Sequence, residues 1–185
     1  MKMKSGASSF NRTERRYLPE FVYGGIDGSV TTFAVVAGAI GATLSPAIIL
    51  ILGFANLFAD GFSMAISNYL SIKSQHDLMS GKKNSCLESE AKHPVKAGLA
   101  TFFSFLVVGF IPLLSFVLAY FIPSLDSSKF LLSFILTGVA LFFVGLVKGE
   151  VVKKHPIKAA IETLIIGGIA AILAFAVGYL LKGIA

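Results

Sequence analysis

The chain holds one cysteine among its 185 residues, Cys86, so no internal disulfide and no disulfide framework can form. Charge is scarce too. Asp, Glu, Lys and Arg make up 14% of the residues against a hydrophobic share of 55%, and the mean hydropathy is +0.81. A soluble domain of this length needs far more polar surface, so an ordinary globular fold is excluded and an integral membrane protein is indicated. No nucleophile–base pair and no phosphate-binding glycine loop occurs, which leaves no enzyme reading and no resident cofactor to expect. Nor is a cleaved signal peptide or a lipid anchor expected: the first apolar run is too long and carries no small-residue cleavage signal.

What the chain does have is five apolar stretches long enough to cross a hydrocarbon core of about 30 Å, which takes roughly 20 helical residues. They cover residues 21–42, 47–71, 97–122, 130–147 and 157–181. The expected fold class is an all-α integral membrane protein with five transmembrane helices. Residues 1–18 form a basic tail, 19–185 a single membrane domain, and 72–96 the only sizeable loop, in which Gly81, Asn84 and Pro94 argue against one continuous helix. The first helix is expected to start near Pro19, since proline suits a first helical turn.

The net charge of +6 does not read as a nucleic-acid footprint, because its placement follows the membrane. Five Lys and Arg lie in the tail, five in the 72–96 loop and four around 148–158, whereas the opposite side has only Lys129 and Lys182. Basic residues collect on the cytoplasmic side, so the N-terminus is expected there and the C-terminus outside or in a lumen. The short tails suit a bacterial inner membrane, or a vacuolar-type membrane if the chain is eukaryotic.

Two acids lie inside the first two apolar stretches, Asp27 and Asp60. A carboxylate at mid-bilayer costs roughly 2.5–3.5 kcal/mol on insertion scales, and such a residue marks an ion or proton path by default. On the first helix Glu20, Gly24, Asp27, Thr31, Val35 and Gly38 share one face, and on the second Asn56, Asp60, Ser63, Met64, Ser67 and Ser71 do. Helical rise puts Asp27 about 10 Å in from Glu20 and Met64 about 10 Å in from Ser71, with Asp60 about 6 Å deeper near Thr31. If the stripes face each other, Asp27, Asp60 and Met64 converge as metal ligands, with Glu20 at the entrance and Gly24, Thr31, Asn56, Ser63 and Ser67 lining the path. Structural readings stand beside these. Met64 can pack against lipid, Asp60 can sit neutral and bonded to Asn56, Asp27 can cap a helix broken at Gly28, and Glu20 can be a surface acid among Arg15 and Arg16. On the fifth helix the small residues Thr163, Gly167, Ala170, Ala174 and Gly178 read as packing, and Glu162 with Lys148 as a structural ion pair.

Carboxylates suit hard cations, and a thioether adds affinity for softer first-row metals. An Asp/Met set with no thiolate or imidazole at that depth favours Fe²⁺ first, then Mn²⁺, Co²⁺ or Zn²⁺. A carboxylate must lose its proton to bind metal, and that exclusion is a means of coupling metal movement to protons.

The run Tyr23-Gly-Gly-Ile-Asp27-Gly28-Ser-Val-Thr-Thr-Phe33-Ala-Val-Val-Ala-Gly38 resembles the first-helix motif of the vacuolar iron transporter family. Gly53-Phe-Ala-Asn56-Leu-Phe-Ala-Asp60-Gly61-Phe-Ser63-Met64-Ala-Ile-Ser-Asn68-Tyr69-Leu70 resembles its second-helix motif, and Ile165-Ile-Gly167-Gly168-Ile-Ala170-Ala171 its last span. The resemblance implies a five-helix homodimer with the pathway between subunits, exporting Fe²⁺ or Mn²⁺ from the cytosol in exchange for protons. It implies that Asp27 and Met64 line the pathway and that Glu20 sits at its cytosolic mouth. One departure is clear: the glutamate-rich cytosolic domain of longer members is absent from 72–96, whose acids are Asp77, Glu88 and Glu90. His76, Met79, Cys86 and His93 in or beside that loop are weak metal ligands at most. The rival functions are a proton-coupled carrier of another small cation and a non-transporting membrane scaffold.

Overall fold

The computed structural model describes residues 12–80, 92–125 and 127–184. Six α-helices make up the described chain: α1 (Arg12–Gly41), α2 (Pro46–Ser80), α3 (Pro94–Gly109), α4 (Ile111–Phe121), α5 (Lys129–Val151) and α6 (Pro156–Leu181), with a 3₁₀ turn at Pro123–Leu125. α1, α2, α5 and α6 are each long and apolar enough to span a bilayer. α3 and α4 are long and apolar enough only as a pair, bent by 47° at their junction, and count as a fifth span when taken as one broken helix. Part of the loop expected at 72–96, residues 81–91 with Cys86, lies outside the described residues.

The first two helices overrun the expected boundaries on the same side. α1 begins at Arg12, so Pro19 lies within the helix instead of starting it, and α2 runs on to Ser80 before Gly81. Hydropathy marks only the part of a helix that lipid touches, and polar residues beyond it carry the same backbone bonds into water.

The third span departs more. Residues 97–122 read as one helix from hydropathy, but the chain breaks at Phe110. Pro112 has no N–H, so the Val108 carbonyl four residues earlier loses its helical partner and the helix bends. A neighbouring hydroxyl takes up the freed oxygen: Ser29 of α1 donates to the Val108 carbonyl at 3.4 Å. Past the bend, Ser133 of α5 donates to the Pro112 carbonyl at 2.6 Å and ties α4 to α5.

Two tight connections share one device. At the end of α1, Leu44 N–H bonds to Ala39 O and Thr43 N–H to Ile40 O, both at 2.9 Å, with Thr43 left-handed at φ 57°. At the end of α5, Lys154 bonds back to Gly149 and Lys153 to Glu150, with Lys153 at φ 54°. Both are Schellman endings, here without the usual glycine, and each is followed by the proline that opens the next helix.

α1 is the hub and touches every other helix. Its glycines make this possible. A methyl at Gly24 would meet the Thr101 carbonyl oxygen at 2.5 Å, and one at Gly28 the Phe105 carbonyl oxygen at 2.5 Å, so α3 lies backbone to backbone against α1. Further out, Gly178 of α6 abuts the Gly38 carbonyl, and Gly167 packs on Leu141. The small-residue stripe of the last helix thus includes backbone contacts. Apolar clusters fill the remainder: Val36, Ala39, Ile49, Leu113 and Phe116 where α1, α2 and α4 meet, and Phe33, Ala37 and Ala171 between α1 and α6.

Candidate functional site

The two membrane acids are brought together by a shared neighbour. Phe105 of α3 backs onto Gly28 of α1, and its ring would meet a methyl at Gly61 of α2 at 3.1 Å. Residues 28 and 61 therefore sit at one level, and so do Asp27 and Asp60 beside them. The Asp60 carboxylate lies within electrostatic range of Asp27. Helical rise alone put Met64 at that level. The packing sets Asp60 there instead and leaves Met64 one turn nearer the basic end, on the same side of α2.

Asp27, Asp60 and Met64 are each half-buried. The ion pairs between described residues are Lys92–Glu20 and Lys148–Glu162, so neither membrane acid has a basic partner among them. Asn56, one turn from Asp60, has its Nδ2 buried with no hydrogen-bond partner among the described residues, and the Asn56–Asp60 bond of the structural reading is not made through it. Thr31 donates to its own helix at the Asp27 carbonyl, 2.7 Å away, which leaves its oxygen as an acceptor only. Ser63 and Ser67 are exposed in a single chain. Gly24 faces the Thr101 carbonyl and Ser104 hydroxyl of α3, which is a packing position.

α3 is held between the two acid-bearing helices by polar bonds. Ser104 donates to the Phe21 carbonyl of α1, and Asn68 of α2 donates to the Thr101 hydroxyl at 2.7 Å. These bonds fix the relative height of α1 and α2 and hence of their carboxylates.

Glu20 does not lie on the surface. Its side chain is 8% exposed, its Oε1 lies 2.6 Å from Lys92 Nζ, and its Oε2 is buried with no hydrogen-bond partner among the described residues. Lys92 is one of the five basic residues of the 72–96 segment, but nothing in the local sequence links it to Glu20, 72 positions away. Beside it, the backbone N–H of His93 donates to the Tyr17 hydroxyl at 3.0 Å. Among the described residues of one copy, no three His, Cys, Asp or Glu gather into a metal-holding group. Of the weak ligands expected near the loop, His76 and His93 are described, while Cys86 and the side chain of Met79 lie outside. The expected Glu162–Lys148 pair is present at 3.4 Å.

The VIT family model matches this chain in two pieces, residues 18–88 and 79–179, which meet in the connection between α2 and α3. The chain belongs to the VIT family. Among relatives, it is 28% identical to a vacuolar iron transporter of Plasmodium berghei, covering 91% of this chain and 84% of that protein. It is 28% identical to one of Toxoplasma gondii, covering 92% and 76%. Vacuolar iron transporter homolog 4 of Arabidopsis thaliana is 29% identical, covering 89% and 84%. The Plasmodium match extends over 228 positions, more than this VIT chain has residues, so that relative carries insertions missing here; the Arabidopsis match extends over 173.

Proposed function

We propose that this VIT-family chain is a secondary transporter that removes Fe²⁺ or Mn²⁺ from the cytosol in exchange for protons, acting as a homodimer with the pathway between subunits. The observation that carries the reading is the level pairing of Asp27 and Asp60 on adjacent helices, half-buried and without a basic partner among the described residues. A structural acid at membrane depth pairs with a base or is sealed inside, whereas these two stand open to a cation. The vacuolar iron transporter names of its relatives support metal as the cargo.

One copy offers two carboxylates and the Met64 thioether, a set too small to strip a divalent ion of its water. A second copy across the face that exposes Ser63 and Ser67 doubles the set and covers hydroxyls that lipid cannot hydrogen-bond. The thioether tilts the site away from Mg²⁺ and Ca²⁺ toward first-row metals. Each carboxylate binds either metal or a proton, so a proton arriving from the far side discharges the cargo there and returns with the emptied site. The basic ends of α1 and α2 mark the cytosolic side from which metal enters.

The test is Fe²⁺ or Mn²⁺ uptake into proteoliposomes with an acidic interior, comparing wild type, Asp27→Asn and Met64→Ala. Flux collapses in the first and falls in the second on this reading. Equal flux in all three would remove the site.

A further inference from the structure

The mouth of the pathway already holds a cation, and it belongs to the chain itself. Lys92, the second residue before α3, places its ammonium 2.6 Å from Glu20 Oε1. The two partners are unequally sealed: the Glu20 side chain is 8% exposed, the Lys92 side chain 32%. The carboxylate is thus fixed while its counter-ion retains a route to water along a flexible four-carbon stem. The other oxygen, Oε2, is buried and takes no hydrogen bond among the described residues. A buried oxygen left unpaired is costly, more so on a charged group, so a purely structural pair would be expected to use both. The backbone beside Lys92 is tied independently by the His93–Tyr17 bond and by Pro94 at the start of α3, so the ammonium is not what holds this segment in place.

We propose that Lys92 is a tethered competitor for the cargo. Its ammonium neutralises Glu20 while the mouth is empty, and an entering divalent cation takes Glu20 through Oε2 as Lys92 swings toward water. Lys92 acts through Glu20 and touches no other ligand in this scheme. Its effect falls on the concentration of metal needed for entry and not on the rate of passage past Asp27 and Asp60. The inference rests on the transport reading above and adds to it a residue that sets apparent affinity.

The experiment measures Mn²⁺ uptake by the full chain in proteoliposomes with an acidic interior, separating KM from Vmax for wild type, Lys92→Met and Lys92→Arg. Removing the ammonium lowers KM at least threefold with a smaller change in Vmax. Arginine, whose fork reaches both carboxylate oxygens, raises KM. In a Glu20→Gln background, Lys92→Met leaves KM where Glu20→Gln alone set it. An unchanged or raised KM in Lys92→Met, or a drop that persists in Glu20→Gln, overturns the proposal. If Lys92→Met fails to fold, Lys92→Arg decides, and a KM at or below wild type overturns it. Absence of flux in the wild type sinks the transport reading instead. Lys92 is then judged by whether Lys92→Met lowers the Mn²⁺ concentration that raises the thermal midpoint.

Discussion

α1 and α2 carry acids at one level in opposite surroundings. In its most apolar stretch α1 is 56% buried, wrapped by helices of its own chain, whereas α2 is 22% buried. On α1 more than half of the positions in that stretch serve packing, and Asp27 stands beside Gly28, which α3 presses against. On α2 one stripe, Ile49, Leu57 and Ala65 with Gly53 and Gly61 between them, faces inward, and Asn56, Asp60 and Met64 flank it toward the open side. The first helix holds its acid in a packed setting. On the proposed reading, the second offers the surface for a partner.

The widest separation between these roles is on α1 itself. Gly28→Leu forces a side chain into the Phe105 backbone, a clash at the upper end of the 1–3 kcal/mol typical of overpacking or beyond it. It should remove folded protein, as read by yield and by elution in detergent. Asp27→Asn one residue away should leave both intact and bring metal flux to background. If Asp27→Asn also loses the protein, the acid is structural and the contrast fails. Asp60→Asn on the less covered helix should lower flux by about tenfold or more at unchanged yield, taking metal–ligand losses as a guide.

The open face is tested by cross-linking. With Cys86→Ser as background, Ser67→Cys should give a covalent dimer on mild oxidation in membranes. Ile169→Cys on α6, which is only 6% buried in its apolar stretch, should not. The reverse result would move the partner to α6. Smaller effects follow within the packed region. Ser29→Ala, which removes the donor to the Val108 carbonyl, should cost about 1 kcal/mol in thermal unfolding. Glu162→Gln should stay within about 0.5 kcal/mol, since that pair is long and Glu162 is largely exposed.

Much of this was legible in the residues alone. Long apolar runs and the distribution of Lys and Arg marked the spans, because lipid enforces both, and charge inside an apolar run singled out Asp27 and Asp60. The break at Phe110 was signalled by Pro112, yet hydropathy averages over a proline and returned one helix. Relative heights came within one turn, since rise along each helix is fixed but the offset between helices depends on which glycine meets which backbone, here Gly28 and Gly61 around Phe105. The burial of Glu20 and its pairing with Lys92 left no local trace, because a contact across 72 residues is made by folding and not by periodicity.

The crooked third span ties its own shape to the depth of Asp27. Among the described residues, Ser104 of α3 donates to the Phe21 carbonyl of α1, and Ser29 of α1 donates to the Val108 carbonyl of α3 at 3.4 Å. Val108 stands two residues before the elbow at Phe110 and Ser29 two residues beyond Asp27, so the bend and the carboxylate share one strut. Spin labels on the two arms of the elbow should report a changed bend in Ser29→Ala, and an angle that this substitution leaves untouched would separate the two.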